Sequence, residues 1–213
     1  MRLRHLAALL LAALPGLLPA ADRPASLQHL QTRWAEIRYQ LPPAQQEAAF
    51  ARLGEEAAAS VRAAPDSAEL LTWQGIILST YAGAKGGLGA LSLAKQARAS
   101  FEQAIALDPQ ALGGSAYTSL GTLYYQVPGW PVGFGDDQQA EALLRKALAI
   151  NPEGIDANYF YADFLLHDDR PQEALAALQR ALKAPPRPGR ELADEGRRGE
   201  IAVLLEKVRA ALD

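Results

Sequence analysis

Apolar residues recur at steps of three and four along most of this chain, and no long stretch alternates apolar with polar. Steps of three and four lay a stripe on one face of an α-helix, whereas alternation marks a strand. Three stretches share one spacing. "AKQARASFEQAIALDP" carries Ala97, Phe101, Ala104 and Pro109; "QQAEALLRKALAINP" carries Ala140, Leu144, Ala147 and Pro152; "PQEALAALQRALKAPP" carries Ala174, Leu178, Ala181 and Pro186. The small residues let a second helix approach, the larger one fills the gap, and the proline ends the helix.

A first helix precedes each of these. "LTWQGIILS" places Leu71, Gly75 and Leu78; "YTSLGTLYY" places Tyr117, Leu120, Gly121 and Tyr124; "NYFYADFLL" places Asn158, Tyr161, Ala162 and Leu165. The pattern predicts three hairpins over 66–186 and an all-α fold. Upstream, Leu27, Leu30, Trp34, Ile37 and Leu41 share one helical face, and Phe50, Leu53, Ala57 and Val61 another, so 22–65 reads as an N-terminal helical pair, a degenerate repeat or cap. Downstream, 187–213 reads as a linker and a capping helix bearing Ile201, Leu204, Leu205, Val208 and Leu212. Such an end helix covers the apolar face that a last repeat exposes.

The hairpins differ in the length of their inner turn. From the Gly or Ala of the first helix to the first Ala of the second there are 12 residues in the last hairpin (Ala162 to Ala174), 19 in the middle one (Gly121 to Ala140) and 22 in the earliest (Gly75 to Ala97). The extra residues, at about 82–96 and 126–137, contain "YAGAKGGLGALSL" and "QVPGWPVGFGDD". Both are expected in turns along one edge of the stack, as neighbours. Asp136 suits an N-cap with Gln139 completing a capping box. Trp130 and Phe134 are expected to pack the loop, and Trp130 is also a candidate contact for a partner.

At these residues the chain resembles the tetratricopeptide repeat (TPR) family, over roughly 68–186. The resemblance implies a helical-hairpin solenoid with enlarged A–B turns and a C-terminal capping helix. It also implies an inner groove lined by the A helices: Glu69, Thr72, Ile76, Ser79 and Thr80; Ser115, Thr118, Thr122, Tyr125 and Gln126; Asp156, Tyr159, Asp163, Leu166 and His167. No Lys or Arg stands at these positions, so the family's clamp for a chaperone's C-terminal carboxylates is not expected. Hydroxyls, tyrosines and carboxylates suit an extended polar or basic segment better. The pairing of "AKGGLGAL" with "VPGWPVGFGDD" also resembles exported bacterial TPR proteins, and the loop placement resembles the T component of TRAP transporters. The latter implies action beside a substrate-binding partner, around a pore or pocket.

Composition narrows the rest. The 213 residues are 49% hydrophobic with a formal charge of −3, which suits one soluble domain and disfavours nucleic-acid binding. Met1–Ala21 combines Arg2 and Arg4 with an apolar run from Leu6 to Leu18 and small residues after it, a secretory signal-peptide pattern that places the protein in the periplasm. Its removal takes the charge from −3 to −5. No later segment is apolar for long enough to span a bilayer, so no stable membrane insertion is expected after signal cleavage. There is no cysteine, hence no thiol catalysis, no cysteine metal site and no lipid-attachment Cys.

"GAKGGLG" lacks the spacing and preceding strand of a phosphate loop, though glycine amides and Lys85 can attract an anion. Asp136, Asp137, His167, Asp168 and Asp169 fall at successive turns, but their spacing fits no calcium loop, and acidic caps are expected there. No nucleophile–base pair is suggested, so no catalytic, metal or cofactor residue is assigned.

The expected function is a non-enzymatic periplasmic scaffold. It binds a protein or extended peptide segment through groove residues Thr118, Thr122, Tyr125, Tyr159 and Asp163 and edge-loop residues Trp130, Phe134 and Asp136. A small-molecule binder with a pocket between the insertions and the groove aromatics is the alternative, or an envelope or cytochrome biogenesis helper.

Overall fold

The computed structural model describes residues 25–213; the expected signal peptide lies outside the described residues. Among these, nine helices follow one another: α1 (Leu27–Gln40), α2 (Pro43–Ala63), α3 (Ala68–Lys85), α4 (Gly87–Leu107), α5 (Ala111–Gln126), α6 (Asp137–Ile150), α7 (Ile155–His167), α8 (Pro171–Leu182) and α9 (Glu191–Ala210). Consecutive helices pack as hairpins α1/α2, α3/α4, α5/α6 and α7/α8, and hairpin stacks on hairpin.

The nine repeated positions explain this. Ala97, Phe101, Ala104, Ala140, Leu144, Ala147, Ala174, Leu178 and Ala181 all have no exposed surface. The α3/α4 and α5/α6 hairpins close where a large residue of the second helix meets a glycine of the first. A Cβ added at Gly75 would collide with the Phe101 ring, and one added at Gly121 would stand 2.8 Å from Leu144 Cγ. Ser26, Ser67 and Asp136 cap α1, α3 and α6 by accepting a backbone N–H in the first turn.

The two insertions take different forms. The loop between α5 and α6 is a true loop. The extra residues of 82–96 instead continue α3 to Lys85 and start α4 at Gly87, with Gly86 at φ 63° reversing the chain. Ala and Leu are strong helix formers, and two consecutive glycines of positive φ, Gly86 and Gly87, supply the turn, so this expected loop is wound into both helices. The insertions are neighbours: Ala94 of α4 joins the same apolar cluster as Phe134 and Val127, and the Arg98 guanidinium lies 5.1 Å from the Phe134 ring centre.

The first helices α1, α3, α5 and α7 line the inside of the stack, each touching the next. The last helix does more than cover α8. Its Ile201, Leu204 and Val208 bury against α7 and α8, while Ala193 enters the apolar cluster of α1, α2 and α3. Arg38 of α1 donates to Glu200 of α9 at 2.8 Å. Gly196 lies so close to Tyr39 that an added Cβ would stand 2.5 Å from its ring. The solenoid therefore closes, end to end, into a ring of five inner helices. Replacing Gly196 by Val forces α9 off α1; by the cost of overpacking we expect a loss of about 1–3 kcal/mol in urea denaturation, with Arg190 and Tyr39 becoming more exposed to solvent.

Candidate functional site

Ring closure turns the expected groove into a pocket of about 810 Å³. Of the five expected groove residues, Thr118, Thr122, Tyr159 and Asp163 line it, and Tyr125 does not. Tyr125 packs edge-on to Phe164 at 5.6 Å and donates its hydroxyl proton to Asp163 Oδ2 at 2.7 Å. Burial, with Asp163 adding to it, pushes the Tyr125 phenol well above its ordinary pKa. Thr118 is buried, and Thr122 donates to the Thr118 carbonyl at 2.9 Å. Ser79 and Thr80 likewise donate to backbone carbonyls one turn back. Their protons are thus engaged within α3 and α5, and their lone pairs are what these hydroxyls offer the pocket.

The expectation of a groove without cations is overturned. At the expected positions of α3, α5 and α7 it holds, but Arg38, Arg187, Arg190 and Arg197 enter the pocket from α1, the linker and α9. The residues after 186, expected to be a linker and a capping helix, also carry a half-buried ion network. Asp156 Oδ2 accepts from Arg187 at 2.6 Å and its Oδ1 from Arg197 at 2.7 Å. Arg187 also donates from Nε to Asp194 at 2.7 Å, and Arg197 pairs with Glu200. Burial alone would raise the Asp156 pKa, but Arg197 and Arg187 hold it far below the usual carboxylate range. Burial pushes the Tyr39 phenol up to about 12, against the opposing pull of Arg197.

Aromatic rings form the other wall. Arg197 lies 4.4 Å from the Tyr159 ring centre and 4.5 Å from that of Phe160. Trp34 meets Trp73 edge-on at 5.9 Å and donates its indole proton to Thr80 Oγ1 at 2.9 Å. Leu112, in a left-handed conformation at φ 52°, opens α5 and also lines the pocket.

The edge loop divides its expected residues. Phe134 packs edge-on to Tyr124 at 5.7 Å. Asp136 caps α6 by accepting from the Gln139 amide at 3.0 Å, and its own amide donates to the Tyr124 carbonyl, so the capping box is half made. Backbone bonds from Gly133 to Gly129 and from Gly135 to Pro128 brace the loop's interior. Trp130 packs on nothing: it is 90% exposed, with Val132 beside it at 65%.

The remaining candidates are spread out. Lys85 reaches Glu47 at 3.1 Å, and His167 stands 3.6 Å from Asp137. No group of three or more metal-ligating side chains gathers among the described residues, nor is any described helix long and apolar enough to cross a membrane.

Residues 133–194 match the family model of the tetratricopeptide repeat. Among solved structures, a thermophilic TPR protein of Thermus thermophilus is similar over 84% of this chain and 88% of that one, at 18% identity and a TM-score of 0.57. The fold is a tetratricopeptide-repeat solenoid. MamA is also similar, over 78% of this chain and 91% of that one, at 18% identity and a TM-score of 0.46. No curated protein matches the chain. TPR folds serve as scaffolds for protein–protein interaction and are typically not enzymes.

Sequence reasoning missed Arg190, Arg197 and Gly196. A signal for the two arginines was present. Positions 190, 194, 197, 201, 204 and 208 follow one another at steps of four and three, so the charged residues extend the apolar stripe of α9 inward.

Proposed function

We propose that this protein is a non-enzymatic periplasmic scaffold that captures a protein partner on the edge loop between α5 and α6. The observation that carries this reading is the Trp130–Pro131–Val132 tip. It is exposed and apolar, and it stands on a base braced by Phe134, Tyr124 and Asp136. An exposed Trp on a braced loop pays little ordering entropy when it enters a partner's cleft, which is the character of a binding hot spot. The TPR fold supports the scaffold role, and the signal-peptide pattern at the N-terminus supports export.

Crosslinking and copurification from the periplasmic fraction test this. Because Trp130 contributes almost nothing to the core, Trp130→Ala keeps the wild-type melting temperature. It weakens partner capture by about 30-fold or more, the scale of a hot-spot truncation. Equal recovery of the partner by both proteins would overturn the edge-loop assignment. Recovery of the protein only in the cytoplasm, with its N-terminus intact, would overturn the compartment.

A further inference from the structure

We infer that the central pocket is a binding site for a small monoanionic molecule with a flat apolar body, such as an aromatic carboxylate, held by Arg190 beside Trp73. This inference stands apart from the edge-loop reading, because it concerns the inside of the ring.

Four arginines line the pocket, and three of them are spoken for. Arg38, Arg187 and Arg197 all bind carboxylates, which are Asp156, Asp194 and Glu200. Asp163, the remaining carboxylate of the lining, is engaged by Tyr125 instead. Arg190 makes no side-chain hydrogen bond and no ion pair among the described residues. Its Nε is shut off from solvent with no partner. The guanidinium lies 4.9 Å from the centre of the Trp73 ring and contributes to the pocket wall.

A buried donor without a partner is costly, and proteins seldom leave one unless something else satisfies the group. Burial, with Arg187 close by, lowers the Arg190 pKa, so the pocket disfavours the charge as it stands. A guanidinium with no direct partner can take one anionic group. A planar guanidinium matches the two oxygens of a carboxylate. The rings of Trp73, Trp34, Tyr159 and Phe160 contribute apolar wall to the same pocket, Trp73 beside Arg190 and Tyr159 and Phe160 beside Arg197. The volume of about 810 Å³ lies within the range of small-molecule sites.

The test uses calorimetry on the full mature protein with three probes: indole-3-acetate, the neutral indole-3-acetamide, and inorganic phosphate as an anion with no apolar body. Indole-3-acetate is expected to bind at least about tenfold more tightly than the amide, the scale of one charge-assisted contact, and phosphate more weakly than either. Arg190→Gln is expected to bind the acid and the amide alike.

A second variant separates a ligand-binding arginine from a structural strut. Arg190→Met keeps the packing on Trp73 and removes a desolvated charge, so its melting temperature should equal or exceed the wild type's. A fall of more than about 5 °C would make Arg190 a strut and overturn the inference. So would equal affinity for acid and amide in the wild type, or no binding of indole-3-acetate. Partner capture through Trp130 should be unchanged in both Arg190 variants, which keeps failure here distinct from failure of the edge-loop reading.

Discussion

Asp156→Ala should cost about 3 kcal/mol of stability, the lower end of the range for breaking a buried ion pair, and should loosen the linker and α9 from α7. One carboxylate holds two guanidiniums from opposite sides, Arg187 of the linker and Arg197 of α9. Arg197 is only 9% exposed in its side chain, so it cannot turn to water when its partner goes. The lower end applies because Asp156 itself is about a third exposed, at 32%, and because Glu200 and Asp194 remain to hold one arginine each. Urea denaturation measures the loss. A cost below about 1 kcal/mol would place Asp156 with ordinary surface pairs.

The same residue fixes a pH signature. Its folded pKa is depressed, so its contribution is present above the unfolded value of about 4 and is lost as pH falls from there through the folded value. Wild-type melting temperature should therefore drop on acidification below about pH 4. Asp156→Asn should start lower at neutral pH and lose part of that slope. Parallel acid profiles for the two proteins would mean that other carboxylates carry the transition.

How much of this was legible in the sequence depends on how local the cause is. The hairpins were, because Ala97, Phe101 and Ala104 and their two sets of equivalents encode a face on one helix, and the structure buries all nine. The form of the 82–96 insertion was not, since glycines that read as a loop gave way to Ala and Leu helix propensity with a reversal confined to Gly86 and Gly87. Trp130 could be placed in the loop but not aimed. Whether it packs as Phe134 does or stands free depends on Arg98 and Tyr124, which arrive from other helices and take Phe134 alone. The pocket was half legible. Register gave Thr118, Thr122, Tyr159 and Asp163, while Arg190 and Arg197 meet that face only because the superhelix curves far enough for α9 to reach α1. Curvature accumulates from small rotations at every hairpin, and no single stretch of sequence states it.

Phe101→Ala tests the legible part and should be among the most damaging single changes, at about 3–5 kcal/mol for emptying a buried aromatic site. That is a large share of a typical domain stability of about 5–15 kcal/mol. Phe101 is the largest of the three equivalent residues, and its ring lies directly against the Gly75 backbone of α3. With nothing at Gly75 to fill the void, the site cannot collapse, so both the transfer and the cavity cost apply. A solenoid distributes such a loss to nearest neighbours, so α5 and α6 should lose amide-exchange protection along with α3 and α4. The contact has a reciprocal test. Gly75→Ala alone overpacks the site at a cost of about 1–3 kcal/mol, whereas Gly75→Ala combined with Phe101→Leu makes room for the added methyl. The double variant should be more stable than the sum of the two single losses predicts, by about 1 kcal/mol or more. Strict additivity would mean that the two residues do not meet, and the register of the α3/α4 hairpin would have to be redrawn.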